Sequence, residues 1–238
     1  MKKQKERREK VKSPEKSKRK YVHNTVVHIE KGEKSYTLNG YGIKAVLSFV
    51  TAFILNNNLI ENRFQFFTDG HKTLNETILK CFSWYKNMGI ILDWYHLKKK
   101  CKEQLSLGMR GRVFRNQVLK PLLPLLWHGL TDKAVALVKE TDGSQIKDTD
   151  AMNKLIEYLN RNKPYIPCYA IRKELGLRNS SSIGEKMNDL VVSARQKHNG
   201  MSWSRPGSVA LASITALKRN AEGKRWFEKR NLKFKMAA

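Results

Sequence analysis

Four side chains in this sequence could take part in metal-dependent catalysis. Asp69 and Asp93 each follow a short apolar segment, His96 comes shortly after Asp93, and Glu185 lies near the start of a later helical segment. Carboxylates brought from separate elements into one cleft supply the oxygen ligands that Mg²⁺ and Mn²⁺ require. Two such ions about 3.5–4 Å apart can stabilise both the attacking and the leaving oxygen of a phosphodiester displacement. The four residues are therefore candidates for a metal-dependent site.

Each candidate also has a purely structural interpretation. Asp69 precedes Gly70, and an Asp-Gly pair after a strand is typical of a turn. His96 could be a neutral structural histidine rather than a group that orients a phosphate or a carboxylate. Asp93 could orient a neighbouring side chain of the site, or it could cap the helix that begins near His96, and we favour the cap.

The elements that would position these residues follow a strand, helix, strand pattern. Segment 63–68 is aromatic and predicts a strand, the apolar spacing over 73–85 predicts a helix, and segment 90–92 predicts a second strand. Apolar strands joined by a helix are typical of an α/β unit with parallel pairing. Ligands collect at the carboxyl ends of such strands, which is where Asp69 and Asp93 stand.

The sequence before these strands predicts a hairpin and a helix. The β-branched segment 21–30 and the segment 34–38 flank a turn that contains Gly32, which is typical of two paired strands. From 43 to 59, apolar residues recur at helical spacing, and the three asparagines at 56–58 end the predicted helix.

The second half of the chain is predicted to be helical. Residues 97–163 form an all-helical section, and further helices are predicted over 182–197 and 208–220. The serines at 180–182 are N-cap candidates. In the helix over 182–197, we expect Glu185 to lie opposite an apolar stripe that faces the core. The predicted stripe comprises Met187, Leu190, Val191 and Ala194.

The charge of the chain indicates a polyanionic partner. Its 238 residues carry 47 Lys and Arg against 21 Asp and Glu, which gives a net charge of +26. Nucleic acid is the simplest such partner, because basic side chains neutralise phosphates and release counterions; a membrane surface is the alternative. Residues 1–20 hold eleven basic and three acidic side chains. We predict that they form a disordered, solvated arm rather than an ordered element that grips DNA.

The sequence argues against transmembrane, exported and zinc-binding proteins. The longest apolar stretch, 45–55, is about half of the ~20 residues that a spanning helix needs, and residues 1–20 contain no signal core. Three cysteines without paired spacing predict reduced thiols in a cytosolic protein. The potential zinc ligands have neither paired spacing nor sufficient number. These residues are Cys81, His96, Cys101 and His128.

Three segments of the sequence resemble insertion-sequence transposases of the DDE class, in the mutator-like group with a ribonuclease H-like catalytic core. In chain order they are FFTDGHKTLNETIL, GIILDWYHLKKKCKEQL and RNSSSIGEKMNDLVVSARQKHNGMSWS. The resemblance extends over most of residues 21–230. It implies an α/β fold in which a ribonuclease H-like core with a mixed sheet, residues 21–96 and 164–238, is interrupted by the helical insertion 97–163.

The resemblance also implies roles for the candidate residues. In this family the second catalytic aspartate stands in an Asp-Gly pair that ends a strand, which matches Asp69, and an Asp-Trp-Tyr-His motif matches 93–96. The catalytic glutamate lies on a helix followed by a basic stretch, which matches Glu185. The basic stretch is matched by Arg195, Gly200, Met201 and Trp203. Asp69 and Glu185 would then hold Mg²⁺ or Mn²⁺, and His96 would lie beside the cleft as a third catalytic residue.

The family's first catalytic aspartate has no counterpart in this sequence. In the family it belongs to the first strand of the core, upstream of the hairpin, whereas no Asp precedes Asp69 here. That strand normally lies in the middle of the sheet, so its loss would remove a metal ligand and a central row of backbone hydrogen bonds. We therefore expect a transposase piece that is truncated at its N-terminus and inactive by itself.

Basic residues near the motifs are expected to contact DNA. The four lysines after the Asp-Trp-Tyr-His motif could follow the phosphates, or they could form a solvated helix face. Two basic residues downstream of Glu185 would lie near the scissile strand in the family's arrangement. The predicted DNA contacts are Lys98, Lys99, Lys100, Lys102, Arg195 and Lys197. Trp127 and Trp203 are expected to be core or capping residues rather than base-stacking platforms.

The function implied by the resemblance is DNA transposition. Water attacks a phosphodiester at the end of the element, and the freed 3′ hydroxyl then attacks target DNA. The expected partners are the element ends and the target DNA, and no membrane is expected. The expected location is the cytoplasm, on the nucleoid. A homo-oligomer on DNA is compatible with this function. The alternative is a non-catalytic basic module that binds DNA or RNA as an assembly or regulatory factor.

Overall fold

Four strands and a larger set of helices form a mixed α/β fold in the computed structural model, which describes residues 24–197 and 203–236. The strands are β1 (Asn24–Lys31), β2 (Lys34–Tyr41), β3 (Phe64–Thr68) and β4 (Met88–Leu92). The predicted arm, residues 1–20, lies outside the described residues, as do Gly200 and Met201 of the third motif.

β1 and β2 form an antiparallel hairpin with a two-residue turn. Their register runs from Asn24 opposite Tyr41 to Lys31 opposite Lys34. Gly32 in the turn has a φ of +60°, a conformation that glycine adopts without a steric penalty. The predicted hairpin is confirmed, and its second strand is longer than the predicted segment 34–38.

β3 and β4 pair in parallel, from Phe64 opposite Met88 to Thr68 opposite Leu92. The helix α2 (Lys72–Cys81) connects them, so the predicted parallel α/β unit is confirmed. The Asp93 N–H donates to the Thr68 carbonyl at 2.8 Å and extends the pairing beyond the end of β4.

The described strands form two separate two-stranded sheets rather than the one mixed sheet that the resemblance implies. Among the described residues, β1 has β2 as its strand partner and β3 has β4. The other edges of β1 and β3 line one cavity between the two sheets and do not pair with each other. The strand that the resemblance places in the middle of the sheet has no counterpart among the described strands, so no row of backbone hydrogen bonds joins β1 to β3.

One hydrophobic cluster packs the helix α1 (Ile43–Asn56) and α2 against the hairpin. The buried side chains of α1 recur at helical spacing, as predicted; they are Val46, Leu47, Val50, Phe53 and Ile54. α2 ends at Cys81, before the predicted end at 85. There Phe82 and Tyr85 turn inward, and both are buried against the core instead of continuing the helix.

A second cluster joins β4 to the helical section that the sequence predicts over 97–163. The section begins already at Trp94. Its helices are α3 (Trp94–Gly108), α4 (Arg112–Trp127), α5 (Thr131–Lys139) and α6 (Thr149–Asn162), with short 3₁₀ turns at Gly143–Gln145 and Lys163–Tyr165. Leu97, Cys101 and Leu105 of α3 are fully buried in this cluster.

The remaining helices follow the helical section. They are α7 (Tyr169–Glu174), α8 (Ser182–Asn188), a π-helical turn (Asp189–Ser193), α9 (Ala194–Gln196), α10 (Arg205–Arg219) and α11 (Gly223–Lys229). α8, the π turn and α9 form one continuous helix over the predicted span. The predicted apolar stripe is partly wrong: Val191 is buried as predicted, but Met187 and Leu190 are half-buried and Ala194 is exposed. The wider π turn rotates the helix, and Val192, Ser193 and Gln196 are buried as well.

Two further features concern the whole described part of the chain. No helix within residues 24–197 and 203–236 combines the length and the apolar character that a bilayer-spanning segment needs. The three cysteines, Cys81, Cys101 and Cys168, are free thiols, and burial raises the pKa of Cys101 to about 12.

One asparagine side chain forms two hydrogen bonds to the outer edge of β2. Asn220 Oδ1 accepts from the Thr37 N–H at 2.9 Å, and its Nδ2 donates to the Thr37 carbonyl at 2.8 Å. Both residues are buried. The two bonds join the end of α10 to the hairpin.

We predict that Asn220→Ala lowers the free energy of unfolding by about 2 kcal/mol or more, because it leaves a buried N–H and a buried carbonyl without partners. Urea unfolding followed by circular dichroism measures this change. Asn153→Ala, at an exposed position of α6, is the control and should change the value by less than about 0.5 kcal/mol. Equal unfolding midpoints for the two variants would contradict the prediction.

Candidate functional site

The Asp93 carboxylate joins the start of α3 to the residues before α8. It is 1% exposed. Its Oδ1 accepts from the His96 N–H at 2.9 Å, which makes Asp93 the N-cap of α3. Its Oδ2 accepts from the Ser181 hydroxyl at 2.9 Å and from the Ser181 N–H. The predicted cap is confirmed, and the same carboxylate also contacts the His96 ring.

Hydrogen bonds keep this buried carboxylate charged. Burial by itself would raise the pKa of Asp93, but the bonds from Ser181 and His96 outweigh it and hold the pKa below its ordinary value. Asp93 is therefore ionised at neutral pH. Both of its oxygens accept hydrogen bonds from the protein, so the Asp93 side chain fixes the start of α3 against the residues before α8.

The His96 ring lies between two carboxylates. Its Nδ1 is 3.2 Å from Asp93 Oδ1, and its Nε2 is 3.4 Å from Glu185 Oε1. His96 is in the first turn of α3 and Glu185 is in the first turn of α8, so the contact brings two helix starts together. Glu185 remains more than half exposed and keeps access to solvent.

The loop between α7 and α8 is fixed to the end of β4. The Trp94 N–H donates to the Asn179 carbonyl at 3.0 Å, and Asn179 Nδ2 donates to the Tyr169 carbonyl at 2.8 Å. The buried Tyr169 hydroxyl donates in turn to the Leu92 carbonyl at 2.7 Å. These bonds hold Ser181 where it can reach Asp93.

Asp69 lies at the mouth of a cleft of about 300 Å³ that also contains His96. The Asp69 side chain is exposed, and its Oδ1 accepts from the His71 N–H at 2.9 Å. Asp69 therefore belongs to a turn, as its Asp-Gly pair predicts, and it also lines a cleft in which a ligand could bind. The cleft is lined by Asp69, Gly70, His71, His96, Lys99, Lys100, Glu103, Tyr158 and Arg161. Glu185 is outside this lining and reaches the cleft only through His96.

Gly70 allows the chain to turn immediately after Asp69. Its φ is +81°, and an added Cβ would come within 2.8 Å of Leu92 Cδ1 and 3.1 Å of the Tyr158 hydroxyl. The Tyr158 hydroxyl also donates to the Asp69 carbonyl at 3.4 Å. The backbone that carries Asp69 is thus packed closely against α6.

The basic residues predicted to contact DNA occupy different positions. Lys99 and Lys100 line the cleft, and Lys99 Nζ lies 4.0 Å from Glu103 on the same helix. Lys98 and Lys102 are exposed outside the cleft lining, with Lys98 over the Tyr95 ring. Arg195 and Lys197 are also exposed outside it, at the end of α9. Their contact with DNA stays a prediction.

Several residues of the site were not predicted from the sequence. Tyr158 and Arg161 enter the cleft from α6, and the Arg161 side chain donates to the Gly70 carbonyl at 3.5 Å. No local pattern shows that α6 packs beside Asp69. Ser181 begins α8, as the serine run predicts, but its side chain binds Asp93 and does not cap α8.

The two tryptophans differ in their surroundings. Trp127 packs against Trp94 and Tyr169 in the cluster that includes α3, which confirms the predicted core position. Trp203 is partly buried just before α10.

We predict that Asp93→Asn lowers the free energy of unfolding at pH 7 by about 1–3 kcal/mol. The folded pKa of Asp93 is lowered, so its charge stabilises the fold above the unfolded value of about 3.9. That stabilisation is lost as the pH falls through the lower, folded value. The difference between the wild type and the variant should therefore shrink below about pH 4.

Urea unfolding at a series of pH values measures this difference. The control is Asp150→Asn, at an exposed position of α6, which should differ from the wild type by less than about 0.5 kcal/mol at each pH. A wild-type advantage over Asp93→Asn that stays constant down to pH 3 would argue against the proposed role of the charge.

We predict that Gly70→Ala destabilises the fold by about 2 kcal/mol or more, because the left-handed backbone and the close contacts both oppose a Cβ. Gly89→Ala in β4 is the matched control, since an added Cβ there meets no atom within 4 Å. Thermal unfolding of both variants measures the difference. Similar melting temperatures would show that the Asp69 turn is not tightly packed.

Comparison with known proteins assigns this chain to a protein family. No curated protein and no solved structure matches the chain. Residues 44–233 match the family model described as Uncharacterised protein family (UPF0236), a range that includes Asp69, Asp93, His96 and Glu185. Because this match takes in most of the chain, the chain belongs to the uncharacterised protein family UPF0236.

Proposed function

We propose that this chain carries part of a DDE-class site for DNA transposition on a ribonuclease H-like core, with Asp69 and Glu185 present and no counterpart of the family's first catalytic aspartate. The observation that supports this most directly is the position of His96. It is 3.4 Å from Glu185 of the third motif, and it lines the same cleft as Asp69 of the first motif. Two of these residues come from neighbouring helix starts, and Asp69 comes from a strand end.

The parallel pair of β3 and β4 also supports the proposal. In open α/β sheets, ligands bind at the carboxyl ends of parallel strands. Asp69 and Asp93 follow those ends directly, and the Asp93 N–H bonds to the last carbonyl of β3. The proposed site therefore stands at the edge of the sheet where such folds hold their ligands.

The two remaining carboxylates suit a hard divalent cation. Mg²⁺ is usually held by one or two carboxylates, with water and phosphate oxygens in its other positions. Asp69 and Glu185 are both exposed, whereas the Asp93 oxygens are already bonded. We propose that Asp69 and Glu185 would each offer a carboxylate to Mg²⁺ or Mn²⁺. No group of three or more potential ligands gathers within the described residues, so water and phosphate would fill the other positions of such an ion.

Asp93 and His96 would orient the other groups of the site. When bound, such ions activate water and neutralise charge on a phosphate. Asp93 fixes the start of α3 and so the His96 ring, and His96 holds the Glu185 carboxylate towards the cleft. His96 would also orient a phosphate oxygen of the DNA strand. In a complete site of this class, water would attack the phosphodiester, and the released 3′ hydroxyl would attack target DNA.

Basic side chains around the cleft would hold the DNA. Lys99, Lys100 and Arg161 line the same cleft as Asp69, and the whole chain carries a net charge of +26. Each phosphate contact releases counterions, so affinity should fall steeply with salt, whether or not the protein is catalytic. Salt dependence alone therefore does not distinguish this proposal from a non-catalytic DNA- or RNA-binding module on the nucleoid.

Metal binding distinguishes the proposed transposase site from a non-catalytic DNA- or RNA-binding module. We predict that Asp69→Asn weakens Mn²⁺ binding at least tenfold and leaves the affinity for duplex DNA unchanged or higher, because it removes a ligand and a negative charge. Electron paramagnetic resonance of free Mn²⁺ in a titration measures the first effect. Fluorescence anisotropy of labelled DNA in EDTA measures the second.

Asp150→Asn serves as the control, because it removes the same charge from an exposed position of α6 outside the cleft lining. It should bind Mn²⁺ as the wild type does. Equal Mn²⁺ affinities for Asp69→Asn and the control would remove the metal site and favour the non-catalytic module.

A further inference from the structure

A cavity of about 700 Å³ lies between the β1–β2 sheet and the β3–β4 sheet. Its lining includes the continuous runs 25–31 of β1 and 63–68 at β3. Neighbouring residues of a strand point to opposite faces, so a cavity on one face would meet only every second residue. This cavity therefore runs along the edges of both strands, and we call it the edge slot.

The backbone of β1 has hydrogen-bonding groups that face the edge slot. Thr37 stands opposite His28 but gives both its N–H and its carbonyl to Asn220. The Thr37–His28 pair is therefore a non-hydrogen-bonded pair, in which the backbone groups of both residues point outward. Because the pairs alternate, Val26 and Glu30 share the outward direction of His28.

The edge of β3 that faces away from β4 also presents backbone hydrogen-bonding groups to the edge slot. The Phe64 N–H donates to the Asn87 carbonyl, and the Thr68 carbonyl accepts from the Asp93 N–H, so both residues face β4. In a parallel pair, residues alternate between the two edges of the strand. The N–H and carbonyl groups of Gln65 and Phe67 therefore face the edge slot.

Side chains cover the edge slot on both faces. Val27 packs in the cluster of α1 and α2, whereas Val26 packs against Val191 on the opposite face. Ile183 and Leu177 line the slot near α8, and α1 contributes Leu47 from the other side. A strand between two covered faces is apolar at consecutive positions rather than at alternate ones.

The charges and the length of the edge slot define its occupant further. Lys31 Nζ lies 3.4 Å from Asn62 Oδ1, so the end of β1 meets the start of β3 and the two strands run in opposite directions. Lys31 and Arg63 place positive charge at this end, where Glu30 is paired with Arg178 at 3.2 Å. At about 3.3 Å per residue, the run 25–31 accommodates a strand of about 20 Å.

We propose that the edge slot binds an extended polypeptide strand from a partner chain. The strand is about seven residues long, apolar on both faces and acidic at the end near Lys31 and Arg63. It joins the two sheets by hydrogen bonding to β1 on one side and to β3 on the other, in the manner of β-strand addition. This inference depends on the strand edges and not on the proposed function.

A capped peptide of five alternating Ile and Val residues with a Glu at each end is the probe. The control is the same peptide with N-methyl groups on two consecutive central residues, which removes one donor towards each edge and keeps the charge. We expect the control to bind the full-length protein at least tenfold more weakly in fluorescence anisotropy. We also expect the unmodified peptide to slow amide exchange at His28, Gln65 and Phe67 in NMR spectra.

A pair of variants tests the same contact from the protein side. Gln65→Pro removes an N–H that faces the slot and leaves the bonds to β4 in place. Gln65→Ala is the matched control, because both variants lose the same side-chain bond to Arg172. The proline variant should bind the peptide at least tenfold more weakly than the alanine variant. If Gln65→Pro does not fold, the comparison of the two peptides on the wild type decides the question.

Three results would overturn the proposal. Equal binding of the two peptides would mean that charge, and not strand pairing, drives the interaction. Slow amide exchange at Gln65 and His28 in the isolated, dilute protein would mean that the slot is closed or filled by the chain itself. Protection that increases with protein concentration would identify a second copy as the occupant.

Discussion

The hydrogen bonds to the buried Asp93 carboxylate are the constraint on which the candidate site depends. A charge that is 1% exposed must have its oxygens satisfied, because an unpaired buried charge costs several kcal/mol. Asp93 meets this requirement with the first turn of α3 on one side and with Ser181 on the other. The end of β4, the start of α3 and the start of α8 are therefore fixed together. The contact between His96 and Glu185 lies at that junction.

β4 can hold this junction because it is packed on both sides. Ile90 belongs to the cluster of α1 and α2, whereas its neighbour Ile91 belongs to the cluster of the helical section. Successive strand residues point to opposite faces, so one short strand is part of two cores. The hydroxyl of Tyr169 then binds the Leu92 carbonyl at the end of the strand. The positions of the catalytic candidates are thus set by packing on both faces of a single strand.

Local patterns predicted the elements of the fold better than their long-range partners. Periodicity predicted the strands, the connecting helix and the parallel pairing, and residue type with position predicted the Asp93 cap. The separation into two sheets was not predicted, because strand partners far apart in the chain leave no local signal. The same holds for Arg161 in the cleft and for the bond between Ser181 and Asp93. The π turn also escaped prediction, because its side chains still have the spacing of an ordinary helix.

The π turn at Asp189–Ser193 separates two ends of one helix that are held by different partners. Glu185 is held by His96, and Val191 is packed against α10. Each residue of an ordinary helix advances by about 100°, so the extra residue of the π turn lets both ends keep their orientation. A chain with one residue fewer here would carry a plain helix in which Glu185 is rotated by about 100° away from the imidazole of His96. The length of this short segment thus sets whether the acidic group faces the imidazole.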